Sequence, residues 1–184
     1  MGCVLRTIYL ISKFVTLPGA FLKGFWEHLA CRLLGITVKN ANYLPADFHC
    51  GHVQNAPASS PAQSFFLALL PYLAQRVLGW IFIAAAAPPL LLFGVRSAQE
   101  SHFFFLYLVA LYFGLSLLCN SFPSWAQMQQ QWKLFYGESS QASRAAKILL
   151  APCNVWFFLG AWLEKTGIFT LVLFGAVITS WLLW

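Results

Sequence analysis

"VLGWIFIAAAAPPLLLFGV", residues 77–95, runs without a charge between Arg76 and Arg96. At about 1.5 Å per helical residue it reaches roughly 28 Å, close to the ~30 Å hydrocarbon core of a bilayer. The rest of the chain agrees with that reading. It is 60% hydrophobic and 9% charged over 184 residues, where an ordinary soluble domain carries about 25% charged residues. A soluble domain of this length has too little interior for so much apolar surface. The expected class is an all-α, polytopic integral membrane bundle in the cell membrane, multi-pass, with the lipid bilayer as its first partner.

Working outward, four to six membrane segments are expected, at about 4–22, 62–76, 77–95, 102–120, 148–163 and 167–184. Residues 77–95, 102–120, 148–163 and 167–184 are the clearest. Segment 62–76 is short and holds Pro71, and Pro88-Pro89 interrupts 77–95; it pairs with 77–95 as a bent hairpin or one long broken helix. Segment 4–22 carries Arg6 and Lys13, so it either spans with Lys13 snorkelling to the interface or lies shallow. It is read as retained and uncleaved, because it lacks a clear small-residue cleavage site.

Two stretches read as in-plane amphipathic helices. In 23–36, with Leu22 just before it, Leu22, Trp26, Leu29, Leu33 and Ile36 recur at helical spacing and make one apolar face, with Lys23, Glu27 and Cys31 on another. In 123–136, Trp125, Met128 and Trp132 align, between a first-turn Pro123 and Gly137. Residues 40–61 form the main polar loop. All 184 residues belong to one membrane domain.

The charge of +6 comes from 11 Lys and Arg scattered singly beside apolar runs. That pattern suits anionic headgroups and the positive-inside bias, and it argues against nucleic acid. The side flanked by Arg6, Lys13, Lys23, Arg32 and Lys39 is placed in the cytoplasm. Five dispersed cysteines without a CxxC give no disulfide framework.

The site candidates sit in and near the loop. "DFHCGHV", 47–53, holds Asp47, His49, Cys50 and His52, whose side chains are ordinary zinc ligands. His28, beside Glu27, completes a set if the helix 23–36 packs under the loop. In an enzyme Glu27 would be base or ligand. The alternative is a loop clasp, in which the histidines bond backbone and Cys50 packs beneath. Lys23, one turn before Glu27, offers it a salt bridge. Asn120 and Asn154 are expected to hydrogen-bond between helices. No phosphate loop, GxSxG or HExxH occurs.

The order "LPGAFLKGFWEHLACRLLGI", "CGHV", "LLPYLAQRVLG", "LSLLCNSFPSWAQ" resembles a family of small prokaryotic polytopic membrane metalloproteases, similar in outline to site-2-type intramembrane proteases. The likeness covers roughly residues 15–130. Aligned on "LACRLLG", Lys23 stands where the family has its first zinc histidine, Gly24 where it has the glutamate base and Glu27 where it has the second histidine. An ammonium offers zinc no lone pair and glycine activates no water. The resemblance therefore implies a non-catalytic relative, acting as a scaffold or as a subunit that binds a membrane-protein partner. The alternatives are a zinc-dependent membrane protease-like enzyme using Glu27, His28, His49, Cys50 and His52, and a small-molecule or lipid carrier with helices broken at Pro71, Pro88 and Pro89.

Overall fold

The computed structural model describes residues 3–42, 52–92, 101–138, 140 and 142–182. Among these residues seven α-helices run in chain order as α1 (Cys3–Val15), α2 (Leu17–Leu33), α3 (Pro61–Ala87), α4 (Ser101–Cys119), α5 (Trp125–Tyr136), α6 (Arg144–Thr166) and α7 (Ile168–Leu182). A short antiparallel pair, β1 (Val38–Asn42) and β2 (His52–Asn55), follows α2. The sequence reads as all-α; this hairpin is an addition to the helices, at the two ends of the loop 40–61.

Local chemistry sets the boundaries. Pro18 at the start of α2 has no N–H to donate and its ring blocks the preceding turn. The chain therefore turns at Thr16, and α1 and α2 meet at 87°. Gly35, at φ 67°, takes the left-handed position that closes α2. Ser60, Ser124 and Ser143 each accept the N–H three residues on, capping α3, α5 and α6. Gly167, at φ 74°, separates α6 from α7.

Segment 62–76 and residues 77–87 of the next segment are joined in one helix, and residues 93–95 lie outside the described residues. Pro71 is buried inside α3 without ending it, and Pro88–Leu92 continues as a π-helical turn. The segment 4–22 is divided between α1 and α2, and the amphipathic stretch 23–36 is the second half of α2. α3 and α4 lie antiparallel and close. A side chain on Gly79 would meet Leu118 and the Gly114 carbonyl, and one on Gly114 would meet Ile83. Small residues at such a crossing let two backbones approach.

Among the described residues two helical stretches, Pro61–Leu90 and Arg144–Thr166, are long and apolar enough to cross a membrane. The bent pair α1–α2 makes a third if counted as one, and Phe103–Cys119 and Ile168–Ser180 are apolar but shorter.

The interior is partly inverted relative to a soluble protein: beside apolar clusters such as Phe65, Met128, Phe135 and Phe157 it buries many polar and charged groups. Lys13, Lys23, Glu27, Gln75, Asn120, Gln131, Asn154 and Glu164 are all buried, whereas Phe14, Phe105, Ile148, Leu149, Leu171 and others are exposed. Charged groups are almost never fully buried in water-soluble domains unless paired. α2 illustrates the inversion. Its stripe of Lys23, Glu27 and Cys31 faces inward with Gly24 and Ala30, while Phe21, Phe25, Leu29 and Leu33 face outward. Of the apolar face read from the sequence, Leu29 and Leu33 are exposed, Leu22 and Trp26 are half-buried and Ile36 is buried. That arrangement suits a solvent of lipid tails.

Candidate functional site

Where α1, α2, α4, α6 and α7 meet, the buried polar groups are bonded to one another. Lys13, on the last turn of α1, is 2% exposed and Lys23, on α2, is 1% exposed. Both reach a single carboxylate oxygen, Glu164 Oε1 near the end of α6, and Lys23 Nζ does so at 2.7 Å. Lys13 Nζ also donates to Asn120 Oδ1 at 2.6 Å. Snorkelling is therefore not what Lys13 does. The 87° turn after Val15 aims its stem into the bundle, where two acceptors wait.

Asn120 holds this centre to the backbone. Its amide donates to the Thr16 carbonyl at 3.1 Å and to the Ser116 carbonyl at 2.8 Å. One face of α2 is tied in as well: Gly19 N–H donates to Ser116 Oγ, and Gln75 Nε2 donates to the Gly19 carbonyl. On the other side Ser12 and Thr170 share a hydroxyl hydrogen bond of 2.7 Å, linking α1 to α7. A second polar clamp joins α5 to α6, where Gln131 Nε2 donates to Asn154 Oδ1 at 2.7 Å. Asn120 and Asn154 thus do what their positions in apolar segments predict.

Lys23 does not pair with Glu27 as the one-turn spacing suggests. Glu27 Oε2 instead accepts the Val53 N–H of β2 at 3.1 Å. Ala30, Cys31, Ile36, Val53 and Leu67 pack together beneath the hairpin. The helix carrying Glu27 and His28 therefore does lie under the strand carrying His52, as a shared site would require. His28 is half-buried on that helix, and His52 pairs with Asn42 across the hairpin. Asp47, His49 and Cys50 lie outside the described residues. Among the described residues no three His, Cys, Asp or Glu side chains converge as a metal site.

Lys13, Lys23 and Glu164 were each legible as ionisable groups inside or beside an apolar segment. Such groups are rare in a membrane helix and nearly always partnered there. What the sequence lacks is the pairing, which joins residues 151 and 141 positions apart.

Chemically, this is a charge clamp. Two ammoniums and one carboxylate leave an excess positive charge, and the buried Glu27, one turn beyond Lys23, brings a second negative one. No family model, curated protein or solved structure matches the chain.

Proposed function

We propose that this chain is a multi-pass protein of the cell membrane with four to six membrane segments, acting without catalysis as a scaffold or as a subunit that binds a membrane-protein partner. It is, in this reading, a relative of site-2-type membrane metalloproteases that has lost their chemistry. The observation that carries the proposal is the Lys23–Glu164 ion pair. The position that the resemblance equates with a zinc histidine holds an ammonium, and that ammonium is committed to a structural contact. The inverted interior supports the bilayer as solvent. α4 and α7 become the third and fourth spans beside α3 and α6, and the bent α1–α2 pair enters the membrane from one side. Of the prolines behind the carrier reading, Pro71 stays inside a continuous helix, whereas the α-helix gives way at Pro88-Pro89 to a π-helical turn.

Metal content tests the loss of catalysis. Detergent-purified protein and its His49→Ala/His52→Ala variant are both expected to carry well under about 0.1 zinc per chain by inductively coupled plasma mass spectrometry. About one zinc per chain, absent from the variant, would restore the zinc-enzyme reading. Partner binding is tested by a photocrosslinker at exposed Leu159 on α6. A discrete protein adduct in native membranes is expected, and adducts with lipid alone would remove the partner from the proposal.

A further inference from the structure

We propose that Arg76 binds the phosphate of an anionic phospholipid on the outer surface of the bundle. The inference rests on the membrane reading above, but on different residues. Arg76 begins the uncharged run 77–95, and its Nε donates to Ser121 Oγ at 3.1 Å, just past the end of α4. The second half of α3 and the antiparallel α4 make a hairpin roughly one hydrocarbon core thick. Arg76 marks one end of it, the level at which headgroup phosphates lie.

The guanidinium is oriented but not neutralised. Its carbon stands 5.1 Å from the Tyr72 ring centroid and 5.0 Å from that of Phe122. Trp156 fixes the first ring by donating its indole N–H to Tyr72 Oη at 3.0 Å, and packs edge-on against the second. Of the five N–H donors of an arginine, only Nε–H finds an acceptor among the described residues. The ion pairs formed among those residues are the ones Glu164 makes with Lys13 and Lys23, so Arg76 meets no carboxylate among the described residues.

An unpaired charge at an apolar surface is costly, and the free fork of a guanidinium matches phosphate oxygens two at a time. The same face supplies a track for fatty chains. Leu73 and Trp80 lie one turn before and after Arg76, with Val77 one turn from each of them, and the three are 46%, 57% and 57% exposed in the order Leu73, Val77, Trp80. A ligand with an anionic phosphate at one end and acyl chains along α3 answers both features. A zwitterionic lipid brings its own ammonium to its phosphate, so the anionic class is preferred.

Native mass spectrometry of the full chain in detergent, titrated with phosphatidylglycerol or phosphatidylcholine of matched chains, tests this. The wild type is expected to bind one phosphatidylglycerol in preference to phosphatidylcholine. Arg76→Gln is expected to weaken phosphatidylglycerol about tenfold, the loss of a charge-assisted hydrogen bond, with phosphatidylcholine unmoved. Arg144→Gln, exposed at the start of α6, should retain wild-type affinity. Ser121→Ala keeps the charge and only frees the guanidinium, so about a threefold loss is expected; this variant decides the matter if Arg76→Gln does not fold. Unchanged affinity in Arg76→Gln, or in Ser121→Ala where only that variant folds, overturns the site. So does an equal loss in Arg144→Gln, and so does displacement of the lipid by millimolar inorganic phosphate. Release of the chain from membranes by alkaline carbonate would overturn the membrane reading itself, and this site with it.

Discussion

Glu164→Ala is expected to abolish accumulation of folded protein, read as loss of the monodisperse peak in detergent size-exclusion chromatography. The substitution leaves two buried ammoniums with Asn120 Oδ1 as the acceptor still in place for Lys13, and Lys23 loses the carboxylate it donates to. Removing one partner of a buried ion pair costs about 3–5 kcal/mol. Here a single carboxylate serves two cations, so the upper end applies, against a total stability of about 5–15 kcal/mol. The matching rescue separates charge from packing. In the Glu164→Ala background, Lys13→Met together with Lys23→Met removes the stranded charges and keeps apolar volume, a change that is often neutral or stabilising. Recovery of the folded peak in the triple variant is the expected result. A wild-type profile in Glu164→Ala alone would sink the clamp as a stabilising device.

Gly19→Ala is expected to destabilise, against the helical trend. In an ordinary helix interior glycine is worse than alanine by about 1 kcal/mol. At Gly19 a Cβ would stand 2.0 Å from the Ser116 carbonyl oxygen and 2.9 Å from Asn120 Nδ2. The obstacle is backbone, which cannot swing aside, so α2 must leave α4. That separation stretches the Gly19–Ser116 and Gln75–Gly19 hydrogen bonds, both fully buried. Overpacking costs about 1–3 kcal/mol, and stranding a buried polar group adds about 1–3 kcal/mol more. The propensity gain is outweighed. Gly175→Ala on α7 is the internal control, because nothing lies within 4 Å of its added Cβ. Thermal denaturation in detergent should show Gly175→Ala at or above wild type and Gly19→Ala well below it. Equal midpoints for the two would refute the close α2–α4 approach.

The helical elements were largely legible in the sequence, and their orientation was less so. Leu29 and Leu33 recur at the right spacing for a helix, but periodicity does not say which solvent the apolar face meets. Once lipid is that solvent, the face with Lys23 and Glu27 turns inward. Pro71 reads as a kink because its ring removes one backbone bond; a buried position among neighbouring helices lets α3 continue past it. The hairpin of "VKNAN" and "HVQN" has almost no alternation of apolar and polar residues, so its signal lies in what packs on it. That is Val53, held by Glu27 and by the apolar residues beneath. Asn120 and Asn154 could be assigned from their apolar surroundings alone. The Lys13–Glu164 and Lys23–Glu164 pairs could not, since charge chemistry names the need for a partner and not its address.

The address has a consequence for biogenesis. Lys13 and Lys23 precede their shared carboxylate by 151 and 141 positions. At about 5–20 residues per second of synthesis, each lysine waits on the order of ten seconds before Glu164 has been made. Until then α1 and α2 carry cations whose shared anion has not yet been made. The arrival of α6 closes the structure. The two ion pairs therefore form only after synthesis has passed Glu164, and the interior that Lys13 and Lys23 share is completed late.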